Sequence, residues 1–374
     1  MEFLVGRYGP AFMTDLHNED TNGLPGLQTV LDKYLTGKTA QEVVHEWAAM
    51  VALDASLDGG ASLRGAPKAS AYQTPSLKAS VNLANPQSYS TPGAPPNGSD
   101  YVQFRDAAGQ PLSAAEVRSV EFSGATVHDL LPIEWESVEG VLSAGAADNM
   151  DRSIIREITV PATGDRSLTF STRYGIETLW DYAIVQVSAD GGESWTSLAN
   201  ADTTTDHDPD ARATIVAELP GLTGDKDWHT TAYDLSAYAG GTVLLRFRMM
   251  SDGATLGNEG GLPAGWLVGD VRVGGTLVSD GSLDGWRSEV SAPEVNGFTV
   301  QLVGLSAAGT HPTVLAPIVA AGFAGSLSGG SLRSSLGNQS DTVAAIVTYD
   351  EPTESIERYA PYQLTVNGVV QPGG

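Results

Sequence analysis

The sequence contains no cysteine, and its 20 lysine and arginine residues face 45 aspartate and glutamate, a formal net charge of -25 over 374 residues. The missing thiols exclude cysteine nucleophiles, Cys-ligated zinc, iron–sulfur clusters and a disulfide framework. Export stays open, because a chain of this length can bury a core large enough to fold without disulfides. The shortage of positive charge excludes nucleic acid as a partner, since phosphate recognition needs a clustered basic footprint. Long apolar runs are missing too. The longest uncharged stretch, Val295 to Leu332, is broken by Pro312, Pro317 and repeated glycine, so it reads as buried strands and loops, and no membrane insertion is expected. The N-terminus has an early acid, Glu2, and no apolar segment of useful length, so it does not read as a signal peptide.

Catalytic motifs are equally scarce. His45-Glu46-Trp47-Ala48-Ala49 begins like the zinc-peptidase helix H-E-x-x-H, but Ala49 stands where the second imidazole must be to share one helix face with the first. The six histidines, at 17, 45, 128, 207, 229 and 311, offer no close pair. Gly37-Lys38-Thr39 resembles the end of a phosphate loop, yet Asp32 occupies the position of its first glycine. There is no G-x-G dinucleotide fingerprint and no G-x-S-x-G nucleophile elbow. Paired carboxylates for glycoside hydrolysis carry no information in a chain with 45 acids.

What is present is mostly β-sheet patterning. With 43 glycines and 20 prolines, many turns are expected. Residues 1–58 read as a helical segment: Asn22 caps a helix over Leu24 to Tyr34. Thr39 and Glu42 make a capping box ahead of Val43, Val44, Trp47, Met50 and Val51 on one face. Residues 59–99, rich in Gly, Ala, Pro and Ser, read as a linker or surface crossing. Ile154 to Val160, Ser167 to Tyr174, Tyr182 to Val187, Thr242 to Met249 and Trp266 to Val273 are strand-like, predicting a jelly-roll β-sandwich over 100–288. Phe298 to Val303, Val343 to Thr348 and Tyr362 to Val366 predict a smaller C-terminal β-sandwich over 289–374. The fold class is therefore mainly β.

Acidic loops suit hard cations, which take several oxygen ligands. Asp148 and Asp151 before one strand, with Asp252 and Asp270 near later strand ends, are the candidate calcium ligands if their strands are neighbours. Asp206-His-Asp208-Pro-Asp210 has the alternating acids of a calcium loop but lacks its turn glycine and final glutamate, and reads as a solvated loop. Ser188-Ala-Asp190-Gly-Gly192-Glu-Ser-Trp195 fits an Asp-box hairpin with the Trp packed beneath the turn.

Several linked stretches resemble one family. Ser143 through Asp148-Asn-Met-Asp151 to Ser153, then Leu179-Trp-Asp-Tyr182 to Thr196, look like the non-catalytic β-domain of immune inhibitor A-type secreted zinc metallopeptidases. The likeness continues through Tyr233-Asp-Leu to Gly241, Leu245-Arg-Phe-Arg248, Gly265-Trp-Leu to Gly275 and Asp280-Gly-Ser-Leu-Asp-Gly-Trp286. It covers about residues 100 to 305, and Phe3 to Ala49 is similar to the tail of such a peptidase domain. The resemblance implies a secreted protein with structural calcium. It also places zinc only in a missing upstream domain, with Met1 partway through the parental architecture. No catalytic residue carries over, so whether the chain is an enzyme stays open. The implied role is that of an accessory region supporting stability and substrate or surface contact, with a peptidase domain or protein substrate as partner. The alternative is a free-standing module binding carbohydrate or a cell surface through Trp180, Trp195, Trp228, Trp266 or Trp286.

Overall fold

The N-terminal residues form four helices, α1 (Glu2–Tyr8), α2 (Pro10–His17), α3 (Gly23–Lys33) and α4 (Ala40–Asp58). The structure is a computed structural model and describes residues 2–58, 64–65, 81–83, 88–258, 261–305, 313–314, 317–336 and 340–374. Most of the expected linker at 59–99 lies outside the described residues. The capping box of α4 closes in both directions, with Glu42 N–H donating to Thr39 Oγ1 at 3.1 Å and Thr39 N–H to Glu42 Oε2 at 2.8 Å. Asn22 stands at the N-cap of α3 without a side-chain capping bond; Glu354 accepts the Leu24 N–H instead, at 2.8 Å. The buried face of α4 runs through Val43, Ala48, Ala49, Met50 and Leu53, while Trp47, expected on that face, is half exposed. Small alanines let the helix approach its neighbour closely, and an indole there would hold it away.

Along the chain follow β1 (Arg64–Gly65), β2 (Ser99–Gln103), β3 (Ser119–Gly124), β4 (Glu136–Val138) and β5 (Val141–Ser143). Then come β6 (Asp151–Thr159), β7 (Ser167–Ile176), β8 (Tyr182–Ser188) and β9 (Thr196–Ser197). After α5 (Ala213–Val216) the chain continues through β10 (Gly224–Asp234), β11 (Thr242–Met250), β12 (Gly265–Val273) and β13 (Thr276–Ser279). The last stretch holds β14 (Phe298–Leu305), β15 (Thr313–Val314), β16 (Val319–Gly322), β17 (Ala324–Ser328), α6 (Gly329–Leu336), β18 (Thr342–Tyr349), β19 (Tyr362–Val366) and β20 (Val369–Val370). Every predicted strand is found. The longest strand missed is β10, whose largely polar sequence hides the period of two.

The chain divides into two compact units, one of residues 1–128 with 293–374 and the other of residues 129–292. The boundary expected at residue 100 therefore moves to 128. Strand pairing is the reason: β2 completes the sheet of β18, with Asp100 opposite Val347, and β3 pairs with β19, with Phe122 opposite Leu364. Among the described residues the C-terminal sandwich has as many strands as the central one, though they are shorter. Among the described residues, its sheets run β1-β15-β14-β18-β2, with β16 on β14, and β17-β3-β19-β20. Phe104, Phe122, Phe298, Leu302 and Tyr349 fill the space between them. β14 and β18 are buried along nearly their whole length. One face meets that core, and the other, through Val303, Ala344 and Ile346, meets the helices. The expected separate helical segment is thus a layer of this unit.

The central unit is a sandwich of a sheet ordered β10-β7-β12-β5-β4, with β13 on β12, and a sheet ordered β6-β11-β8-β9. Phe247 of β11 stands in the middle of its core. Its ring centroid lies 5.1 Å from that of Phe170, 5.5 Å from Trp266 and 5.3 Å from Trp286. Trp266 satisfies its indole N–H on Thr172 Oγ1 at 2.9 Å. Replacing Phe247 with Ala should cost about 3–5 kcal/mol by opening a cavity among these rings, whereas Trp228→Ala, at a half-exposed position on β10, should cost less than about 1 kcal/mol. Urea unfolding followed by far-ultraviolet circular dichroism separates the two, and equal losses would contradict this packing.

Candidate metal centre

The acids of the central unit gather where three strands end. Glu177 follows the last residue of β7, Asp181 precedes the first of β8, and Asp252 lies two residues beyond β11. Because β8 and β11 are antiparallel with Tyr182 opposite Met250, the residues just outside that pair meet. Asp252 N–H donates to Asp181 Oδ1 at 2.8 Å. A tight turn returns the chain from β7 to β8, with Asp181 N–H donating to Glu177 O at 3.1 Å, and it brings Glu177 to the same place. One carboxylate oxygen from each of the three lies within 4.8 Å of the others.

The loop before β6 is stitched onto this group. Ser251 Oγ donates to Ala147 O at 2.6 Å and accepts Met150 N–H at 2.9 Å, and Asn149 N–H donates to Asp252 O. A cavity of about 10 Å³, the size of one water molecule, lies here between Asp181, Ser251, Met150 and Gly257.

The electrostatics are those of crowded anions. Asp181 is only 3% exposed. Burial, together with the charges of Asp252, Glu177 and Asp148, raises its pKa to about 7 against the opposing hydrogen bond from Asp252 N–H. Glu177 is raised as well, by burial and by Asp252. Hard oxygen donors without any histidine suit calcium far better than zinc.

The four acids singled out in the sequence divide. Asp252 is a member of the cluster, and Asp148 is near enough for its charge to act on Asp181. Asp151 is held by Arg248, with bonds of 2.6 and 2.7 Å from Nε and Nη2. Asp270 is exposed and bonded by Arg272 at 2.8 and 3.0 Å. Charges already paired with guanidinium are poor competitors for a cation. Glu177 and Asp181 were not singled out, although Glu177-Thr-Leu-Trp-Asp181 between two strand-like runs was a signal.

The other sequence candidates also find their places. Asp206 and Asp210 are exposed, and Asp208 accepts the Asp210 N–H in a local turn, as a solvated loop requires. In the Asp-box, Ser188 Oγ donates to Asp190 Oδ1 at 2.7 Å and accepts the Gly192 N–H at 2.8 Å. Gly191 and Gly192 take positive φ, 75° and 99°. Trp195 is partly covered, and Arg246 stacks on it with its guanidinium 4.0 Å from the ring centroid. Of the five tryptophans considered for carbohydrate, Trp266 and Trp286 are buried, Trp180 and Trp195 are partly covered, and Trp228 is half exposed with Arg173 over its ring.

Residues 132–301 match the family profile of the immune inhibitor A-like MAM domain. The chain is also similar to the pre-pro-metalloprotease PrtV of Vibrio cholerae serotype O1, in strains M66-2 and ATCC 39315 (El Tor Inaba N16961). The identity is 33% over 107 residues, which make up 28% of this chain and 10% of the relative. The matched stretch thus spans a tenth of those relatives' length.

The buried acid gives a pH signature. Asp181 titrates near its ordinary 3.8 when unfolded and near 7 when folded, so the folded state holds the extra proton between those values. The stability it contributes is complete below about pH 4 and is lost as pH rises through 7. In chelator-treated protein, the melting temperature of wild type relative to Asp181→Asn should fall across that interval. Parallel profiles for the two proteins would contradict the environment described.

Proposed function

We propose that the chain, whose residues 132–301 match the immune inhibitor A-like MAM domain profile, is a non-catalytic accessory region of an extracellular zinc metallopeptidase, stabilised by calcium and serving substrate or surface contact. The observation that carries the reading is the convergence of Glu177, Asp181 and Asp252 inside that domain. Such an arrangement costs stability through like-charge repulsion and desolvation, and a divalent cation removes both penalties. Calcium would be held by these three carboxylates, with neighbouring carbonyls and water completing its shell. Its contribution is structural: it would tie the turn after β7 and the segment after β11 into one rigid end of the sandwich.

The non-catalytic part of the proposal rests on the missing zinc motif. His45, the first residue of the broken H-E-x-x-H, bonds Asp350 Oδ1 through Nε2 at 2.6 Å, and the same oxygen accepts from Gln41 at 2.8 Å. Its ring nitrogen is thus engaged in fastening α4 to the end of β18. Glu46 is buried in ion pairs with Arg7 and Lys38. Among the described residues neither belongs to a group of three or more metal-ligating side chains. The family likeness is what supports the extracellular setting and the peptidase partner in this reading. Among the described residues no helix is long and apolar enough to cross a membrane.

Calcium should raise the melting temperature of the full chain, with a gain of about 2.7 kcal/mol at one hundred times the dissociation constant. Asp181→Asn and Asp252→Asn should each abolish the response. An identical melting temperature in excess calcium and in excess chelator would remove the metal from the proposal. The purified chain should also show no metal-dependent hydrolysis of casein; cleavage that a chelator stops would overturn the non-catalytic reading.

A further inference from the structure

The outer face of the β6-β11-β8-β9 sheet carries a cavity of about 540 Å³, separate from the acidic cluster. That volume lies within the roughly 300–1,000 Å³ typical of small-ligand sites. Arg246 and Arg248, alternate residues of β11, point to it from the same face of the sheet. They stand in different states. Arg248 is fully engaged, bonding Asp151 through Nε and Nη2 and lying 3.1 Å from Glu218 through Nη1.

Arg246 is held but not consumed. Its Nε donates to Gln186 Oε1 at 2.7 Å, and its guanidinium lies 4.0 Å from the Trp195 centroid. Gln186 is itself fixed by bonds to Ser197 Oγ and Glu218 Oε2. The two terminal amino groups of Arg246 have no hydrogen-bond partner among the described residues. Burial takes the guanidinium partly out of water, which lowers its pKa to about 10 and still leaves it charged at neutral pH. A planar cation fixed at two points with its outer edge open is preorganised for an oxyanion that accepts two parallel N–H bonds.

The surroundings narrow the ligand further. Asp151, Glu134 and Glu218 crowd the same region, so a dianion such as phosphate would be repelled, whereas a single carboxylate places one negative charge on one unspent cation. The carboxylates of Asp151 and Glu134 are half exposed or more and, with the hydroxyls of Ser153 and Ser288, offer acceptors for several ligand hydroxyls. Leu131 and Pro132 give an apolar wall. β6 is the edge strand of this sheet, and beside the cavity its Ile155 already exchanges backbone hydrogen bonds with Arg287, at 2.8 and 2.9 Å, which shortens the main-chain edge open to a peptide. We infer that this cavity binds a carboxylated sugar, a uronic acid unit of an acidic polysaccharide, with its carboxylate on the free edge of Arg246 and its hydroxyls on the surrounding serines and acids.

The inference is independent of calcium and of any peptidase partner. Its test is calorimetric titration of the full chain with oligosaccharides of galacturonic, glucuronic and mannuronic acid. The comparison ligands are the same sugars with their carboxyls reduced to alcohols, and a short peptide ending in glutamate with a free C-terminus. At least one uronate should bind, and its reduced counterpart should bind at least about tenfold more weakly. Arg246→Lys, which keeps the charge but loses the planar fork, should weaken uronate binding by about tenfold or more. Leu131→Glu is a change at a half-exposed wall position that leaves the core untouched. It should weaken binding to a similar degree by repelling the carboxylate, and it decides the matter if Arg246→Lys does not fold. Absence of binding by every uronate, equal binding of the reduced sugars, binding of the peptide alone, or full affinity in a folded Leu131→Glu protein would each overturn it.

Discussion

The pairing of β8 with β11, Tyr182 opposite Met250 and Gln186 opposite Arg246, is the constraint on which both features of the central unit depend. It turns Ala183, Val185, Val187, Leu245, Phe247 and Met249 inward, and Gln186, Arg246 and Arg248 outward. A slip of one residue would exchange the faces of one strand, sending its arginines or its Gln186 into an aromatic core. That error would bury unpaired charge at a cost of several kcal/mol, so the register is strongly determined. The same register sets Asp181 against Asp252 at one end of the strands. It also sets Gln186 beside Arg246 in the middle of the outer face.

Anionic crowding has two consequences in this protein. Over the whole chain, the formal charge of -25 is a long-range repulsion among like charges. At the ends of β7, β8 and β11, it becomes local, because Asp181 is buried and Glu177 and Asp252 are held beside it by short backbone connections. Elsewhere in the unit, the backbone offers acids cheaper solutions. Asp190 binds the hydroxyls and amides of its own turn, which hold its pKa low. Asp270 is stabilised the same way by Arg272. The contrast between acids satisfied by the chain and acids crowded by it makes the strand-end cluster stand out among 45 carboxylates.

Burial on two faces organises the other unit. β14 and β18 carry apolar residues at nearly every position, which an open sheet cannot accommodate. The packing of α4 over Val303, Ala344 and Ile346 covers the second face, and the Tyr101 hydroxyl fixes the contact by donating to Ala48 O at 3.0 Å. The N-terminal helices therefore have a structural task in this chain whatever their origin. They shield strands that are contributed from more than two hundred residues later.

The sequence by itself determined the mainly β class, the principal strands, the capping box of α4, the Asp-box turn and the family likeness. Each of these is written in short-range pattern: a period of two, a side chain reaching three residues along, a glycine where φ must be positive. It also placed Asp252 and Asp148 in the right neighbourhood, because strand ends are visible in sequence. Only the tertiary structure decided that Asp151 and Asp270 are paired with arginines, that Glu177 and Asp181 join Asp252, and that residues 99–128 belong with the C-terminal strands. It alone showed that Trp195 lies under Arg246. Those outcomes depend on which strands become neighbours and in which register, a choice made by burying two apolar faces against each other, and no local stretch of the chain records it.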